Sequence, residues 1–257
     1  MSKHSAVEIP ALLVDQLRAA RRIVVLTGAG ISAESGVPTF RDAQSGLWAQ
    51  YKPEDLATPD AFRRDPKLVW EWYAMRRAKL AEVHPNPAHH ALVAMEGRVP
   101  ELLLVTQNVD GLHQRAGSAQ VCELHGNISR TKCFEENTRV DQWRETGEVP
   151  PRCPRCGGHL RPDVVWFNES LPMDAFNRSL EASRTCDVFF SIGTSTVVYP
   201  AASLPYEALS SKATVVEINP QPTPFTPHAT ISFQGPAGMI LPAIVKAAWP
   251  DPLAPKW

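Results

Sequence analysis

A cluster of amide and carboxylate side chains follows the apolar run Leu102–Val105. Gln107, Asn108 and Asp110 come directly after that run. In open α/β sheets, ligands bind outside the carboxyl ends of the strands, where such groups could hold ribose hydroxyls, a carboxamide and a water. The same residues could instead form only an Asx-type turn that closes the strand.

A histidine ends a second strand-like segment. His125 is followed by Gly126, which places an imidazole on a tight turn at the same edge of the predicted sheet. Because histidine exchanges a proton near neutral pH, His125 is a candidate general base. On residue type and position alone, His113 could take the same role, and a structural or surface histidine is the alternative for either.

Glycines follow a third apolar run. Ile23–Leu26 has the β-branched character of a buried parallel strand, and Gly28, Gly30 and Ala33 come after it. The spacing fits G-x-G-x-x-G/A, in which glycine lets the backbone approach a pyrophosphate and free N–H groups at the helix start meet its charge. The pattern indicates dinucleotide binding, with a tight turn that binds no ligand as the alternative.

The segment after these glycines departs from the pattern of a dehydrogenase. A dehydrogenase places an acidic residue at the end of a second strand, about 20 residues after the glycines. Asp55 stands near that distance, but Pro53-Glu54-Asp55 indicates a loop. The dinucleotide would therefore lie under a loop that carries Phe40 and Arg41, which argues against simple hydride transfer.

Two further strand ends carry small polar groups. Gly193-Thr194-Ser195 follows the run Val188–Ile192, and Asn219 follows Val215–Ile218. At the edge of a parallel sheet these groups could bind a phosphate and a ribose.

Three cysteines have nearly the spacing of a zinc ribbon. Cys133 is followed by Glu136, then by sixteen residues, then by Cys153 and Cys156. A zinc ribbon has the form C-x₂-C-x₁₅₋₂₀-C-x₂-C, so Glu136 stands where the second cysteine belongs. Glu136 or His159 could complete a site with the three cysteines, or the metal could be lost and the hairpin held by packing alone.

Composition limits the classes of function. The chain has 257 residues, 44% of them hydrophobic and 21% charged, and a formal net charge of −1. This charge gives no electrostatic reason to expect nucleic-acid or membrane partners, and no apolar run approaches the ~20 residues of a membrane span. We expect a cytoplasmic enzyme in which Cys122 and Cys186 are small buried hydrophobes rather than disulfide partners.

Apolar runs that alternate with helical segments predict an α/β fold with a Rossmann-like parallel sheet. The predicted strands are 22–27, 101–106, 120–124, 187–192 and 213–218. The predicted helices are 11–21, 59–64, 66–83, 87–96, 111–116, 174–184, 201–210 and 236–248. Three of these begin with an N-cap residue and a proline, at Thr58-Pro59, Asp65-Pro66 and Asn86-Pro87.

Two segments interrupt the alternation, so we predict a discontinuous domain organisation. Residues 43–84 are helical and aromatic, and residues 130–162 are rich in Pro, Gly, Cys and charge. We expect them to pack together as a smaller inserted domain with a helical module and a zinc-ribbon-like module. The Rossmann-like domain would then comprise residues 1–42, 85–129 and 163–257.

Taken together and in this order, the motifs resemble those of the sirtuins, the NAD-dependent protein-lysine deacylases. The resemblance covers most of the chain, from Arg22 to about Leu241. The motifs are GAGISAESGVPTFR at 28–41, TQNVDGLH at 106–113, LHG at 124–126, VVWFNE at 164–169, GTS at 193–195 and EIN at 217–219. The resemblance implies a Rossmann domain and a small zinc-ribbon and helical domain, with NAD and an acyl-lysine protein or peptide meeting between them.

The resemblance also assigns roles to matching positions. Phe40 would cover the nicotinamide ribose, and Arg41 would lie near the phosphates. His125 would be the general base, and Asn108 would join it as a catalytic residue. The positions expected to contact NAD are Gly28, Ala29, Gly30, Ile31, Phe40, Arg41, Gln107, Asn108, Val109, Asp110, Gly193, Thr194, Ser195, Asn219, Pro220, Gln221 and Ala237. The positions expected to line the acyl-lysine tunnel and pair with the substrate backbone are Val164, Val165, Trp166 and Phe167.

The chemistry that the resemblance implies is group transfer. The acyl oxygen attacks C1′ of the nicotinamide ribose as nicotinamide leaves, and His125 helps to deprotonate a ribose hydroxyl that then attacks the imidate. Water releases the lysine and O-acyl-ADP-ribose. A loop over the ribose would exclude water until the acyl group is in place. The family default is a monomer, and we expect a bacterial member.

Tyr73 and Arg76 suggest which acyl group is removed. Three residues apart on a predicted helix, they share a face, and Tyr-x-x-Arg at this place resembles the class III sirtuins, which favour malonyl-, succinyl- and glutaryl-lysine. A guanidinium can bind the terminal carboxylate with two parallel N–H bonds, and a tyrosine hydroxyl can add a third. Acetyl-lysine could still enter, because an unfilled arginine can keep its water; a solvated arginine beside a half-buried tyrosine is the alternative.

Overall fold

The computed structural model describes residues 7–37, 52 and 56–251. Its centre is a six-stranded parallel sheet. The six strands are β1 (Arg22–Thr27), β2 (Glu101–Thr106), β3 (Val121–Glu123), β6 (Val188–Ile192), β7 (Thr214–Asn219) and β8 (Ile231–Gln234). They lie in the order β3-β2-β1-β6-β7-β8. The five strands predicted from the sequence are confirmed, and β8 is an addition.

Helices cover both faces of the sheet. They are α1 (Ala11–Ala19), α2 (Gly30–Ala33), α5 (Pro87–Glu96), α6 (Leu112–Ala116), α7 (Met173–Thr185), α8 (Leu204–Ser210) and α9 (Ala237–Ala248). Short 3₁₀ turns occupy Ala201–Ser203 and Thr226–His228. Along β1, Ile23 and Val25 pack with α1, α5 and α9, whereas Val24 and Leu26 pack with α7 and α8. Both faces of the strand are buried, which explains its unbroken apolar run, and the predicted Rossmann-like α/β fold is confirmed.

The pairing register brings the strand ends together. Thr27, the last residue of β1, pairs with Thr106 of β2 and with Ile192 of β6, and Thr106 pairs in turn with Glu123 of β3. The strand order reverses between β1 and β6, so a crevice opens there at the carboxyl edge, where open α/β sheets bind ligands.

Two helices and a hairpin form a second core beside the sheet. Helices α3 (Pro59–Arg64) and α4 (Pro66–Ala81) pack against the antiparallel strands β4 (Gly126–Cys133) and β5 (Leu160–Val164). The division of the chain into two domains stays a prediction, and much of 43–55 lies outside the described residues.

The three predicted helix starts are confirmed. Thr58 accepts a hydrogen bond from Ala61 N at 3.1 Å, and Asp65 accepts one from Leu68 N at 3.0 Å. Asn86 accepts one from Ala88 N at 2.9 Å. Each cap is followed by proline at the first helical position, where its missing N–H costs nothing. In the part of the chain that the structure describes, the helices are too short or too polar to cross a bilayer.

Candidate active site

The glycines after β1 are required by close packing within the protein. A Cβ atom on Gly28 would lie 2.7 Å from Gly193 O, and one on Gly30 would lie 2.7 Å from Gly193 Cα. Gly193 itself has a φ of +60°, a left-handed conformation that favours glycine. The loops after β1 and β6 therefore touch backbone to backbone, and a side chain at any of the three positions would separate them.

The amides in the glycine loop already have partners. Gly28 N donates to Ile192 O at 3.0 Å, Gly30 N donates to Gly193 O at 2.8 Å, and Ile31 N donates to Gly28 O at 3.2 Å. These three N–H groups are therefore not free, contrary to expectation, and the role of Gly28, Gly30 and Ile31 in NAD binding stays a prediction. Ala29 lies between them, and Ile31 is buried.

Asn108 is held by two contacts at the end of β2. Its Nδ2 donates to Gly28 O at 3.0 Å and to Ser32 Oγ at 3.2 Å. Ser32 donates onward to Asp110 Oδ2 at 2.8 Å. Among the described residues, the Asn108 amide oxygen takes part in no hydrogen bond, so it stays available as an acceptor. Ser32 lies inside the GAGIS motif, and its link between Asn108 and Asp110 is not evident from the sequence.

Asp110 is a half-buried carboxyl group at the same strand end. Burial raises its pKa, an effect opposed by hydrogen bonds from Leu112 N and from Ser32. Because Leu112 N occupies Oδ1 at 2.9 Å, the carboxylate closes an Asx turn. The turn proposed as an alternative is therefore present together with the polar cluster, and Val109 lies within it.

His125 is a neutral imidazole with one defined tautomer. Its Nδ1 lies 2.8 Å from Gln107 O, and because a carbonyl only accepts, Nδ1 carries the proton. Burial lowers the pKa of His125, and the hydrogen bond to Gln107 opposes this effect. The Nε2 atom therefore carries a lone pair near pH 7, which is the state a general base needs.

His113 lies behind the site and is excluded as the base. It is buried, its Nε2 lies 3.0 Å from Thr27 Oγ1, and its ring centroid is 4.9 Å from that of His89. Burial lowers the pKa of His113 to about 3 and that of His89 to about 4. His113 instead ties Thr27 in place, and Thr27 in turn donates to Thr106 at 2.8 Å.

A second set of contacts joins β2 to β6 and β7. Gln107 Nε2 donates to Thr194 Oγ1 at 2.9 Å, and Asn219 Nδ2 donates to Thr194 O at 3.0 Å. Thr194 and Asn219 are buried, and Ser195 beside them is half-buried. The polar groups predicted at these strand ends are thus joined in one network.

A buried carboxylate in β7, whose role is not evident from the sequence, holds the segment that follows this strand. Glu217 is buried and accepts hydrogen bonds from the hydroxyls of Thr223 and Thr226. These bonds hold residues 223–226 against β7, so the intervening segment with the exposed residues Pro220 and Gln221 forms a loop. Ala237, the last residue of the predicted NAD set, begins α9 and is buried.

The segment 164–167 alternates between core and surface. Val164 and Trp166 are buried in the core of α3 and α4, whereas Val165 is half-buried and Phe167 is 45% exposed. The backbone N–H of Val165 donates to His125 O at 2.9 Å, so this segment lies directly beside the candidate base. Only Val165 and Phe167 present side-chain surface to a ligand.

Tyr73 and Arg76 lie together on α4. Tyr73 is buried, and its hydroxyl accepts a hydrogen bond from Trp166 Nε1 at 3.0 Å. Burial raises the pKa of Tyr73 to about 12, although the nearby Arg76 lowers it. The guanidinium of Arg76 is stacked 4.8 Å from the ring of Trp72. The helical spacing predicted from the sequence is confirmed, and the indole partner of Tyr73 is new.

Four side chains of the hairpin converge on one point. The Sγ atoms of Cys133, Cys153 and Cys156 and a carboxylate oxygen of Glu136 all lie within 4.8 Å of one another. Zinc binds thiolates at about 2.3 Å and carboxylates at about 2.0–2.2 Å in a tetrahedron, so these four donors fit one ion. His159 is not a member of the group; its ring packs edge-on against Phe62.

Two predicted site residues, Phe40 and Arg41, lie outside the described residues. Their roles over the ribose and the phosphates stay predictions.

Comparisons with known proteins place this site in a family. A model of the Sir2 family matches residues 28–200. The "NAD-dependent protein deacylase" of Aquifex aeolicus (strain VF5) is 56% identical over 213 residues, which cover 82% of this chain and 89% of the relative. A solved "Sir2 homolog-NAD complex" has a TM-score of 0.86 at 42% identity and covers 95% of this chain and 96% of its own.

A second solved structure, "Sir2 bound to acetylated peptide", has a TM-score of 0.81 at 31% identity. It covers 91% of this chain and 96% of its own. The family model spans the residues that directly follow β1, β2, β3 and β6, and the chain belongs to the Sir2 family.

Proposed function

We propose that this protein is an NAD-dependent protein-lysine deacylase that removes succinyl, malonyl and glutaryl groups, and also acetyl groups, from lysine. The observation that carries the proposal is the neutral His125, with Nδ1 bound to Gln107 O and its backbone bound to the segment 164–167. The base thus lies between the candidate NAD residues and the candidate peptide-binding strand. The name of the Aquifex aeolicus relative and the solved Sir2 homolog complex with NAD support the coarser part of this assignment, NAD-dependent protein deacylation.

NAD is the cosubstrate in this proposal. It would supply a ribose carbon, C1′, that loses nicotinamide and forms a bond to the acyl oxygen. The residues proposed to hold it are Gly28, Ala29, Gly30, Ile31, Gln107, Asn108, Val109, Asp110, Gly193, Thr194, Ser195, Asn219, Pro220, Gln221 and Ala237, with Phe40 and Arg41. Since three glycine-loop amides are bonded internally, we expect the more accessible side chains, such as the half-buried Ser195 and the exposed Gln221, to contribute much of the recognition.

Two side chains would orient the ribose. The amide oxygen of Asn108, which takes part in no hydrogen bond among the described residues, can accept a hydroxyl or carboxamide proton, and the bonds of Nδ2 to Gly28 and Ser32 fix its orientation. Asp110 is held by Leu112 N and Ser32, so its position is fixed before any ligand binds. Such preorganisation limits the ordering cost on binding.

His125 would act as a proton acceptor through Nε2. Because burial lowers its pKa, the neutral form predominates at pH 7 and the ring can take a proton from a ribose hydroxyl. The Gln107 carbonyl, as partner of Nδ1, would stabilise the imidazolium that forms.

The acyl group would meet Tyr73 and Arg76. Trp166 donates to the Tyr73 oxygen, which leaves the tyrosine O–H proton for a second partner. With its pKa raised to about 12, Tyr73 keeps that proton throughout the neutral range. A terminal carboxylate could then accept charge-assisted bonds from Tyr73 and from the Arg76 guanidinium, whereas the methyl of an acetyl group accepts none.

A zinc ion would complete the hairpin, held by Cys133, Cys153 and Cys156 with Glu136 as the fourth ligand. Its role would be structural, because four protein ligands leave no open position. A cytoplasmic location and a monomeric state stay predictions.

Release of nicotinamide tests the function. The protein should release nicotinamide from NAD only when an acyl-lysine peptide is present, with one acyl group lost per nicotinamide. His125→Tyr should abolish the reaction. Peptide-independent release, or turnover retained in the variant, would contradict the proposal.

A narrower alternative is a protein deacetylase without preference for acidic groups. The neighbour solved with an acetylated peptide favours it. Rates on acetyl- and succinyl-lysine peptides of one sequence distinguish the two functions.

A further inference from the structure

A cavity of about 730 Å³ lies next to the candidate peptide-binding strand. Residues between Val165 and Pro172 form one of its sides, and Arg63, Lys132 and Arg161 bring cationic side chains to it. The cavity therefore adjoins the segment along which the proposed substrate backbone would run, and three cationic side chains line it.

The charges of Arg161 and Glu169 neutralise each other. Arg161 is 2% exposed and donates to both carboxylate oxygens of Glu169, at 2.5 and 2.9 Å. Trp166 N adds a third bond to Glu169 at 2.7 Å, and the guanidinium stacks 3.2 Å from the Trp166 ring. Within the described residues, Glu169 accepts these three bonds and none from another cation of the cavity.

Lys132 is the cation with the weakest compensation. Its residue surface is 9% exposed, and its ion pair is with Asp163 at 4.0 Å, beyond hydrogen-bond distance. Asp163 is bound more closely by Arg130, at 2.9 Å. Among the described residues, the Lys132 ammonium donates no hydrogen bond. A buried ammonium without close partners is costly, and an anion that enters the cavity would relieve that cost.

The other charged residues do not reverse this balance. Arg63 is exposed and already bound to Asp60 at 2.7 Å. Glu135 also borders the cavity, but it is exposed to solvent, which weakens its field at Lys132.

We propose that this cavity receives the carboxylate of an aspartate or glutamate of the substrate polypeptide, close in sequence to the acyl-lysine, and that Lys132 binds it. The inference rests on the proposed deacylase function. An extended chain advances about 3.3 Å per residue, so one to three residues span about 3–10 Å from the lysine. The shared wall at Val165 puts the cavity within that reach.

Succinyl-lysine peptides that differ only by glutamate or glutamine test the inference. One glutamate is placed at each of the three positions before and after the lysine, in an otherwise neutral sequence. At one or two positions glutamate should lower KM about tenfold relative to glutamine, with kcat little changed, as a charge-assisted hydrogen bond predicts.

The Lys132 variants identify the residue responsible. Lys132→Gln should remove the preference for glutamate while the all-glutamine peptide keeps its kcat/KM, and Lys132→Arg should retain it. Lys246→Gln, an exposed change on α9, is the matched control for lost charge. Zinc content and the thermal unfolding midpoint are measured for each variant, because Lys132 precedes Cys133.

Equal KM values for glutamate and glutamine at every position in the wild type would overturn the inference. So would a preference that survives Lys132→Gln. Both outcomes leave NAD-dependent deacylation standing, whereas a failure of every peptide to react with NAD would overturn the proposed function itself. The wild-type peptide series needs no variant, so a folding defect in Lys132→Gln would not prevent a decision.

Discussion

Replacing Arg76 with methionine should remove the preference for acidic acyl groups and spare deacetylation. Methionine keeps an unbranched, apolar chain beside Trp72, where the guanidinium is now stacked at 4.8 Å, but it cannot bind a carboxylate. Tyr73 would remain bonded to Trp166, so the wall of the pocket should keep its shape. The change therefore isolates the charge of Arg76.

The size of the fall in kcat/KM for succinyl-lysine follows from the hydrogen bonds that Arg76→Met removes. A charge-assisted hydrogen bond contributes roughly 1.5–3 kcal/mol. A bidentate pair would contribute twice as much before the cost of removing water from the carboxylate and from the half-buried guanidinium of Arg76. With one bond as the net gain, kcat/KM for succinyl-lysine should fall about ten- to a hundredfold, and that for acetyl-lysine should change by less than about threefold.

The assay uses one peptide sequence that carries either succinyl- or acetyl-lysine, with nicotinamide release as the readout. Arg77→Met is the matched control. Arg77 is the next residue of the same helix, is half-buried, and stacks 4.8 Å from Trp70, so its replacement removes the same charge and the same kind of ring contact. Because it lies about 100° around the helix from Arg76, it should leave the ratio of the two rates unchanged.

Equal losses of both activities in Arg76→Met would refute the reasoning and make Arg76 a structural residue. The same conclusion would follow if Arg77→Met changed the ratio as much as Arg76→Met. Tyr73→Phe should lower the succinyl rate less than Arg76→Met, because it removes a neutral donor.

Three further predictions follow from the site and its surroundings. His125→Tyr should abolish both deacylations with an unchanged circular dichroism spectrum; residual turnover would assign the base elsewhere. Because the folded-state pKa values of His89 (about 4) and His113 (about 3) lie below the usual 6.5, the unfolded chain binds more protons below pH 6.5, and stability should fall on acidification. Between pH 6 and 4, the free energy of unfolding measured in urea should fall on the order of 1.4 kcal/mol per pH unit for each histidine. His113→Asn should make this pH dependence less steep, and an unchanged dependence in that variant would contradict the assignment. Glu136→Cys should at least keep one zinc per chain and slow its loss to a chelator, whereas His159→Ala should leave zinc binding unchanged; loss of zinc in His159→Ala would make His159 the ligand.

Much of the sheet could be predicted because its strands are buried on both faces. Arg22–Thr27 and Glu101–Thr106 each carry an unbroken apolar run, and the structure buries it between helices. Strand β8 was missed because Ile231–Gln234 is a four-residue edge strand with alternating half-buried and exposed residues. Strand β4 was missed because its polar residues, such as Arg130, find partners only after the hairpin forms.

The site could be predicted in position but not in its hydrogen bonds. Residues at strand ends must meet in a parallel sheet, so Gln107, His125 and Thr194 could be grouped from the sequence alone. The tautomer of His125 could not, because it depends on a carbonyl of another segment. Likewise, His113 packs against His89 and Thr27 whereas His125 bonds to Gln107 O, a difference that the sequence pattern does not contain.

Partners distant in the chain were the hardest to foresee. The bond from Trp166 to Tyr73 spans the helical module and the hairpin, and the internal bonding of the Gly28 and Gly30 amides depends on β6. In both cases the local structure, a helix at Tyr73 and a tight glycine turn after β1, was predicted correctly. The hydrogen-bond partners could not be, because they lie far away in the sequence.

The most direct test of the central claim is mass spectrometry of the products formed from matched succinyl- and acetyl-lysine peptides, with and without NAD. We expect succinyl loss only with NAD, faster than acetyl loss and matched by the appearance of O-succinyl-ADP-ribose. Succinyl loss without NAD, or free succinate with no O-succinyl-ADP-ribose formed, would contradict the account.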